Sequence, residues 1–349
     1  MLFRSIGDHE PKARGFAIPN AELALDGAVD PYFKAFVNIV HKIDANGETG
    51  TELEEMYLLT SSLPGDLQLK VGQFFSEFGR QNNQHPHAWG FADQPLVLNR
   101  MFGPDGLRSQ GARVSWLLPT PFYTEAMLGV MNSAGGTTWS FRSDESTAIH
   151  GGAPISREVK SPGDLLYVPR VASSLDLTDN QVLLVGASGA FGPNSGGAAS
   201  RSEVYGLDAY WKWKSSTAHQ GFPFVSLQGE YLSRRYDVDQ RSATDDRAPG
   251  ALPAATLTDD GAYAQVLWGI VPRVVVGLRG EYVKAGSSAF VSPERADRNR
   301  WSPNVTWYPS EFSKLRLQYN YDDRPGIGRD HSVWVQFEFL LGAHAAHKF

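Results

Sequence analysis

At 349 residues the chain can hold one large domain or two ordinary ones, and its formal net charge of -6, with acids and bases interleaved, gives no electrostatic footprint for nucleic acid. Cysteine is absent, which excludes a disulfide framework and thiolate metal sites, while Gly 35, Trp 9, Tyr 13 and Phe 19 supply the turn-formers and aromatics of a many-stranded protein. No run approaches the roughly 18 apolar residues of a spanning helix, which leaves a soluble protein or a barrel whose strands hide their polarity by alternation.

Residues 1–14 read as a non-native or disordered remnant without the signal peptide of an exported protein, ahead of one β domain over 15–349. Period-two patterning then predicts strands near 17–27, 32–44, 51–61, 67–78, 111–118, 122–133, 165–177, 181–191, 201–214, 222–237, 260–270, 273–284, 299–308, 313–321 and 331–342. Over 314–321 the alternation is strict, with Leu315, Leu317, Tyr319 and Tyr321 on one face and Lys314, Arg316, Gln318 and Asn320 on the other. Residues 227–231 and 278–282 are near-copies, Leu-Gln-Gly-Glu-Tyr and Leu-Arg-Gly-Glu-Tyr, and read as equivalent strands of one sheet.

Connections alternate between short turns, as at Leu63-Pro64-Gly65-Asp66 and Val271-Pro272, and long loops at 79–110, 134–163, 192–200, 238–259, 285–298 and 322–330. That asymmetry is the outer-membrane pattern of short periplasmic turns and longer outer loops. A soluble sandwich is the competing architecture. Arg279, Glu281 and Arg316 sit mid-strand, where a basic side chain facing lipid would cost ~2–4 kcal/mol, so in a barrel they face a wet interior. The expected fold is therefore an all-β transmembrane antiparallel up-and-down barrel. Fifteen runs are visible, and bacterial single-chain barrels have even strand numbers, so about sixteen strands are expected in the full protein with one preceding this chain.

Glu52-Leu53-Glu54-Glu55-Met56-Tyr57-Leu58-Leu59-Thr60, Leu69 to Arg80, Gln84-His85-Pro86-His87-Ala88-Trp89, Asp93-Gln94-Pro95-Leu96-Val97, Leu166-Tyr167-Val168-Pro169-Arg170 and Gly186 to Asn194 carry a family resemblance over essentially the whole chain. They resemble Gram-negative outer-membrane barrels related to the phosphate-selective porins and often labelled zinc-regulated TonB-dependent outer-membrane receptors. The resemblance implies sixteen strands with one upstream of residue 15. TonB-dependent receptors use about 22 strands and a plugged lumen, whereas the strand count here is porin-sized.

Loop 79–110 is long enough to be functional. It reads as a constriction loop carrying Arg80, His85, His87, Trp89, Asp93, Arg100, Asp105 and Arg108, the alternative being an extracellular cap with a short helix near Pro95–Arg100. His85 and His87 could supply two zinc ligands, but two do not complete a tetrahedral site, so a structural or interaction role is favoured over a metal. Facing the pore should be Lys34, Lys42, Lys70, Arg113, Lys212, Arg279, Lys314 and Arg316, against Asp208, Glu230, Glu281 and Glu338. This surplus of bases predicts a weak anion preference.

No Gly-x-Ser-x-Gly elbow, phosphate loop or paired-His motif occurs, so neither an enzyme nor a cofactor is expected. The expected function is a porin-like channel for passive or substrate-biased diffusion of small hydrophilic solutes or ions. An outer-membrane receptor or transporter for zinc or a metal chelate is the alternative, and a purely structural or adhesive barrel a third. Expected partners are outer-membrane lipid, the outer-membrane assembly machinery through a C-terminal strand ending at Phe349, and small solutes. A homotrimer is compatible with this architecture.

Overall fold

The computed structural model describes residues 15–18, 20–43, 47–143, 158–240, 253–286 and 295–342. The expectations for residues 1–14 and for a C-terminal signal at Phe349 lie outside these residues.

Fifteen strands follow one another: β1 (Ala21–Ala28), β2 (Phe33–Ile43), β3 (Thr49–Thr60), β4 (Leu67–Phe75), β5 (Arg108–Leu117), β6 (Tyr123–Asn132), β7 (Leu165–Thr178), β8 (Gln181–Pro193), β9 (Arg201–His219), β10 (Phe222–Val238), β11 (Ala255–Val271), β12 (Val274–Ala285), β13 (Arg298–Ser310), β14 (Ser313–Arg324) and β15 (Gly328–Phe339). They form one sheet in sequence order with every neighbouring pair antiparallel. The expected up-and-down architecture and its strand count are both found. Among the described residues β1 and β15 each pair on one side only.

The sheet is inside out relative to a soluble protein. In the β14–β15 ladder Leu315 faces Phe337 and Leu317 faces Val335 on one surface, while Lys314 faces Glu338 and Arg316 faces Gln336 on the other. The apolar surface is the open one, with Val335 72 % and Phe337 64 % exposed, whereas Arg234, Arg279, Arg300 and Arg316 are among the largest fully buried side chains. A soluble sandwich would expose those arginines and bury those aliphatics; only a hydrocarbon surround makes this arrangement favourable.

Closure is visible in the contacts of one short segment. His87 Nδ1 lies 3.4 Å from Glu22 of β1, and its carbonyl accepts a 2.5 Å hydrogen bond from Lys314 Nζ of β14. The first and fourteenth strands meet around a single residue, so the sheet curls round on itself.

Three boundaries that bear on the interior depart from the sequence expectation. β4 stops at Phe75 rather than near 78, and β5 begins at Arg108 rather than 111, so the long loop spans 76–107 and Arg108 belongs to the wall. β11 starts at Ala255, because Thr256 to Asp260 pair with β10 despite their polar, loop-like composition. A β-bulge in β3 has the largest consequence. Asn38 pairs with Glu55 and Ile39 with Leu53, so Glu54 is the extra residue and the inward parity switches there. Both Glu54 and Glu55 are buried in consequence, which strict alternation forbids.

Candidate functional site

Residues 76–107 lie against the inner wall. Two kinds of contact hold them. At Gly79 the backbone turns with φ +62, a left-handed conformation that glycine adopts without strain, and its N–H donates to Ser188 Oγ at 3.0 Å. The carboxylate of Glu230 accepts the next two backbone N–H groups, Arg80 at 3.3 Å and Gln81 at 2.7 Å. Further along, α1 (Leu96–Phe102) has no side-chain N-cap of its own. Its first N–H is satisfied by Glu281 Oε2 at 2.6 Å, a negative group at the positive end of the helix. Phe78, Val97, Leu98 and Phe102 pack in one buried cluster with Val168, Val204, Leu232 and Val283 from β7, β9, β10 and β12.

The polar anchors centre on Asp93. It accepts from Arg279 Nη2 at 2.5 Å, Arg300 Nη1 at 2.9 Å, Gln318 Nε2 at 2.8 Å and Asn320 Nδ2 at 3.1 Å. Burial opposes its charge, but Arg300 and Arg279 outweigh that and hold the Asp93 carboxyl down to about 2. Arg316 Nη2 donates to the Trp89 carbonyl at 2.9 Å. Arg100 and Arg234 share Asp259 at 3.3 and 2.6 Å, and burial brings Arg100 down to about 10 despite that carboxylate.

His85 is gripped from both sides. Its Nδ1 lies 3.0 Å from Glu54 and its Nε2 2.8 Å from Glu55, with Phe75 edge-on at 5.4 Å and His87 stacked at 5.5 Å. Burial disfavours the imidazolium, yet hydrogen bonds and attraction from the two glutamates prevail and push His85 up to about 10. Glu22, Glu54 and His85 also bring three potential ligand atoms within 4.8 Å of one another.

Not every residue expected to line a pore meets solvent. Arg279, Lys314 and Arg316 face inward but are only 1 % exposed, and Asp208, Glu230 and Glu281 are buried as well, because the loop or a neighbouring counter-charge covers them. For four of them ion pairs replace the expected wet surroundings, as where Asp208 holds Arg170 at 2.6 Å and Glu281 holds Arg279 at 2.9 Å and Arg300 at 2.7 Å. Arg316 instead donates to Thr306, Gln336 and the Trp89 carbonyl, and Glu230 accepts from Tyr263 and two backbone N–H groups. Arg113 is likewise buried, 3.6 Å from Glu125. Lys42 reaches Glu52 and Asp105, and Lys70 reaches Glu77 at 2.8 Å. Glu338 pairs with Lys314, and Lys34 lies exposed near the short-turn end of β2.

Arg80 and Lys212 differ from these. The Arg80 guanidinium stacks 3.9 Å above Tyr210 and its Nε donates to Gln228 at 3.2 Å, while Lys212 lies over Phe224 and feels the like charges of Lys214 and Arg80. Among the described residues neither forms a salt bridge. Sequence reasoning missed Glu54, Glu55, Arg170, Arg234, Asp259 and Arg300. Inward parity was a usable signal for Arg170, Arg234 and Arg300, whereas the bulge hid the glutamates.

The interior is therefore a polar wall with an inward-folded loop fixed to it. No known family's profile matches the chain. An uncharacterized protein of Aquifex aeolicus (strain VF5) is 32 % identical over 379 aligned positions that cover all of this chain and 74 % of that protein. Among solved structures, the outer membrane channel DcaP of Acinetobacter baumannii superposes with a TM-score of 0.54 at 12 % identity, covering 91 % of this chain and 83 % of that one. A loop L8 deletion mutant of OmpT, an outer membrane protein of Vibrio cholerae, gives 0.53 at 9 % identity, covering 92 % and 89 %. At such identities the likeness is one of fold, and that fold, together with the apolar outer surface, places the chain in an outer membrane. The chain is an outer-membrane β-barrel and belongs to the same family as the Aquifex aeolicus protein.

Proposed function

We propose that the barrel is a porin-like channel through which small hydrophilic solutes diffuse past a constriction formed by residues 76–107. The observation that carries this reading is the inner wall itself: charged and amide side chains from every part of the sheet point inward, and the loop among them is fixed by buried ion pairs at Asp93 and His85 rather than left free. Most of the wall's charge is neutralised in pairs, and inward cations that form no salt bridge among the described residues, Arg80 and Lys212 with them, give the passage a modest preference for anions. Planar-bilayer conductance under a salt gradient tests both parts. Open-state current with a reversal potential of anion-selective sign is expected; folded full-length protein that passes no current removes the channel.

A second reading, uptake of a divalent metal or its chelate, is favoured by the grouping of Glu22, Glu54 and His85. Imidazole and carboxylate suit zinc, and His87 stands beside the group. It requires that His85 exchange its two carboxylate hydrogen bonds for a metal bond. Calorimetric titration of zinc into the wild type and a His85→Ala/His87→Ala double variant separates the readings, since equal heats in both leave only the channel.

A further inference from the structure

Where β4 ends, the wall has a notch. The chain leaves the sheet after Phe75 to run inward, so β3 and β4 pair over only four positions, Met56–Leu59 against Lys70–Gln73. The outer part of β3 is left facing β5 across a gap. Gln73 partly bridges it, its Nε2 donating to the carbonyls of Leu53 at 2.5 Å and Glu54 at 3.2 Å. Between these strands and residues 134–137 lies a cavity of about 250 Å³, open to the outside, lined by Glu52, Gln73, Arg108, Ser109 and Gln110.

Three features of the notch point to a ligand. Arg108 lines it with only 3 % of its surface exposed; its Nη2 pairs with Glu52, while its Nη1, 3.6 Å from a Glu54 oxygen, makes no hydrogen bond. A buried guanidinium nitrogen without an acceptor is costly unless something else supplies one. Next, Gln73, Gln110 and Asn132 form a cross-strand row of amides at 3.4 and 3.5 Å, on the outward surface that elsewhere carries aliphatics. The row below it on the same strands is Val71, Ala112 and Val130, followed by Leu69, Val114 and Leu128. Finally, the notch is close to neutral, because Glu52 already pairs with Arg108 and Lys42.

We propose that this notch binds the sugar headgroup of a glycolipid in the leaflet bordering the long loops. Amide and guanidinium donors beside carboxylate and amide acceptors, with little net charge, suit a polyhydroxylated ring better than an anion. The apolar rows beneath, with Val71 and Val114 each 46 % exposed, continue the site into an acyl-chain surface, which selects a lipid-linked sugar over a free one. The site is on the outside of the barrel and does not depend on the channel reading.

The test is native mass spectrometry of the full chain in detergent with an uncharged diglucosyl diacylglycerol, its deacylated oligosaccharide and phosphatidylglycerol as probes. Wild type is expected to retain the uncharged glycolipid in preference to phosphatidylglycerol. Gln110→Leu, whose side chain is exposed and holds nothing but its two amide neighbours, should weaken retention by about tenfold, one or two net hydrogen bonds. Gln73→Leu/Gln110→Leu should abolish the preference, with heat-modified gel mobility confirming a folded barrel; if that variant does not fold, Gln110→Leu decides alone. Equal retention of the two lipids by wild type, unchanged retention by Gln110→Leu, or displacement by the deacylated oligosaccharide at equal concentration each overturns the proposal.

Discussion

The two ends of the inward loop are held by different balances of the same forces. Residues 96–107 dock mainly through Val97, Leu98 and Phe102 on an apolar patch of β7 to β12, with the Arg100–Asp259 and Lys42–Asp105 pairs beside it, while residues 80–93 dock mainly through Asp93 and His85 on charged groups of β3 and β12 to β14. Apolar burial is non-directional and tolerates small shifts, so the helical end is held firmly but not to one geometry. A buried ion pair stands on exact donor positions and loses several kcal/mol when one partner goes, since the other charge is left without its counterpart. The ionic end therefore sets the position of the loop and the apolar end supplies adhesion.

Asp93→Ala should have the largest effect. It takes the shared acceptor from Arg279, Arg300, Gln318 and Asn320 at once, leaving Glu281 to satisfy both guanidinium groups. We expect a destabilisation of ~3–5 kcal/mol in chemical unfolding and a severalfold rise in single-channel conductance as residues 89–95 leave the wall. Asp93→Asn keeps the shape and an acceptor but not the charge, and should fall between the two. If Asp93→Ala leaves conductance unchanged, the ionic end does not position the loop.

Leu98→Ala addresses the other end. Leu98 is fully buried in the loop cluster, so its truncation should cost ~2–5 kcal/mol. Conductance should change much less than in Asp93→Ala, because the ion pairs still fix residues 80–93. A larger conductance change in Leu98→Ala than in Asp93→Ala would invert the assignment of roles.

This division also explains what could be read from the residues in order. Strand existence, count and inward face follow from local period-two patterning, which is why Lys314, Arg316, Arg279 and Glu281 were assignable to the inner surface without coordinates. Their burial was not, because it depends on a loop more than 180 residues earlier in the chain folding onto them. Glu54 and Glu55 were hidden for a different reason: adjacent residues of a strand point to opposite faces unless a bulge intervenes, and nothing local in Glu-Leu-Glu-Glu announces one. Asp259 looked like loop because its neighbours are polar; its three arginine partners, Arg100, Arg234 and Arg295, come from distant parts of the chain.

The His85 clamp sharpens the comparison through pH. With its pKa raised from the ordinary 6.5 to about 10, docked His85 keeps a proton that a released loop would give up between those values. The clamp's contribution is thus fully present below about pH 6.5 and is lost as pH rises through about 10. Channel noise should stay flat in the acid part of the neutral range and grow towards pH 10. His85→Gln, which can still donate one hydrogen bond to a glutamate, should remove most of that dependence while leaving Asp93 in place; a steep rise persisting in His85→Gln would assign it to another group.

The smallest expected effect is on selectivity, and it turns on pairing rather than on charge count. Arg80→Gln and Lys212→Gln each remove a cation with no salt bridge among the described residues, whereas Lys70→Gln removes one already neutralised by Glu77. A lone charge sets a field along the passage; a paired one contributes little beyond its dipole. The reversal potential should therefore move toward cations in the first two variants and hardly at all in the third. Salt supplies the control: the Debye length is ~10 Å at 0.1 M and ~3 Å at 1 M, so the shift should be clear in dilute electrolyte and largely vanish in concentrated electrolyte. A shift in Lys70→Gln as large as that in Arg80→Gln would mean that ion pairing along the wall does not silence its charges.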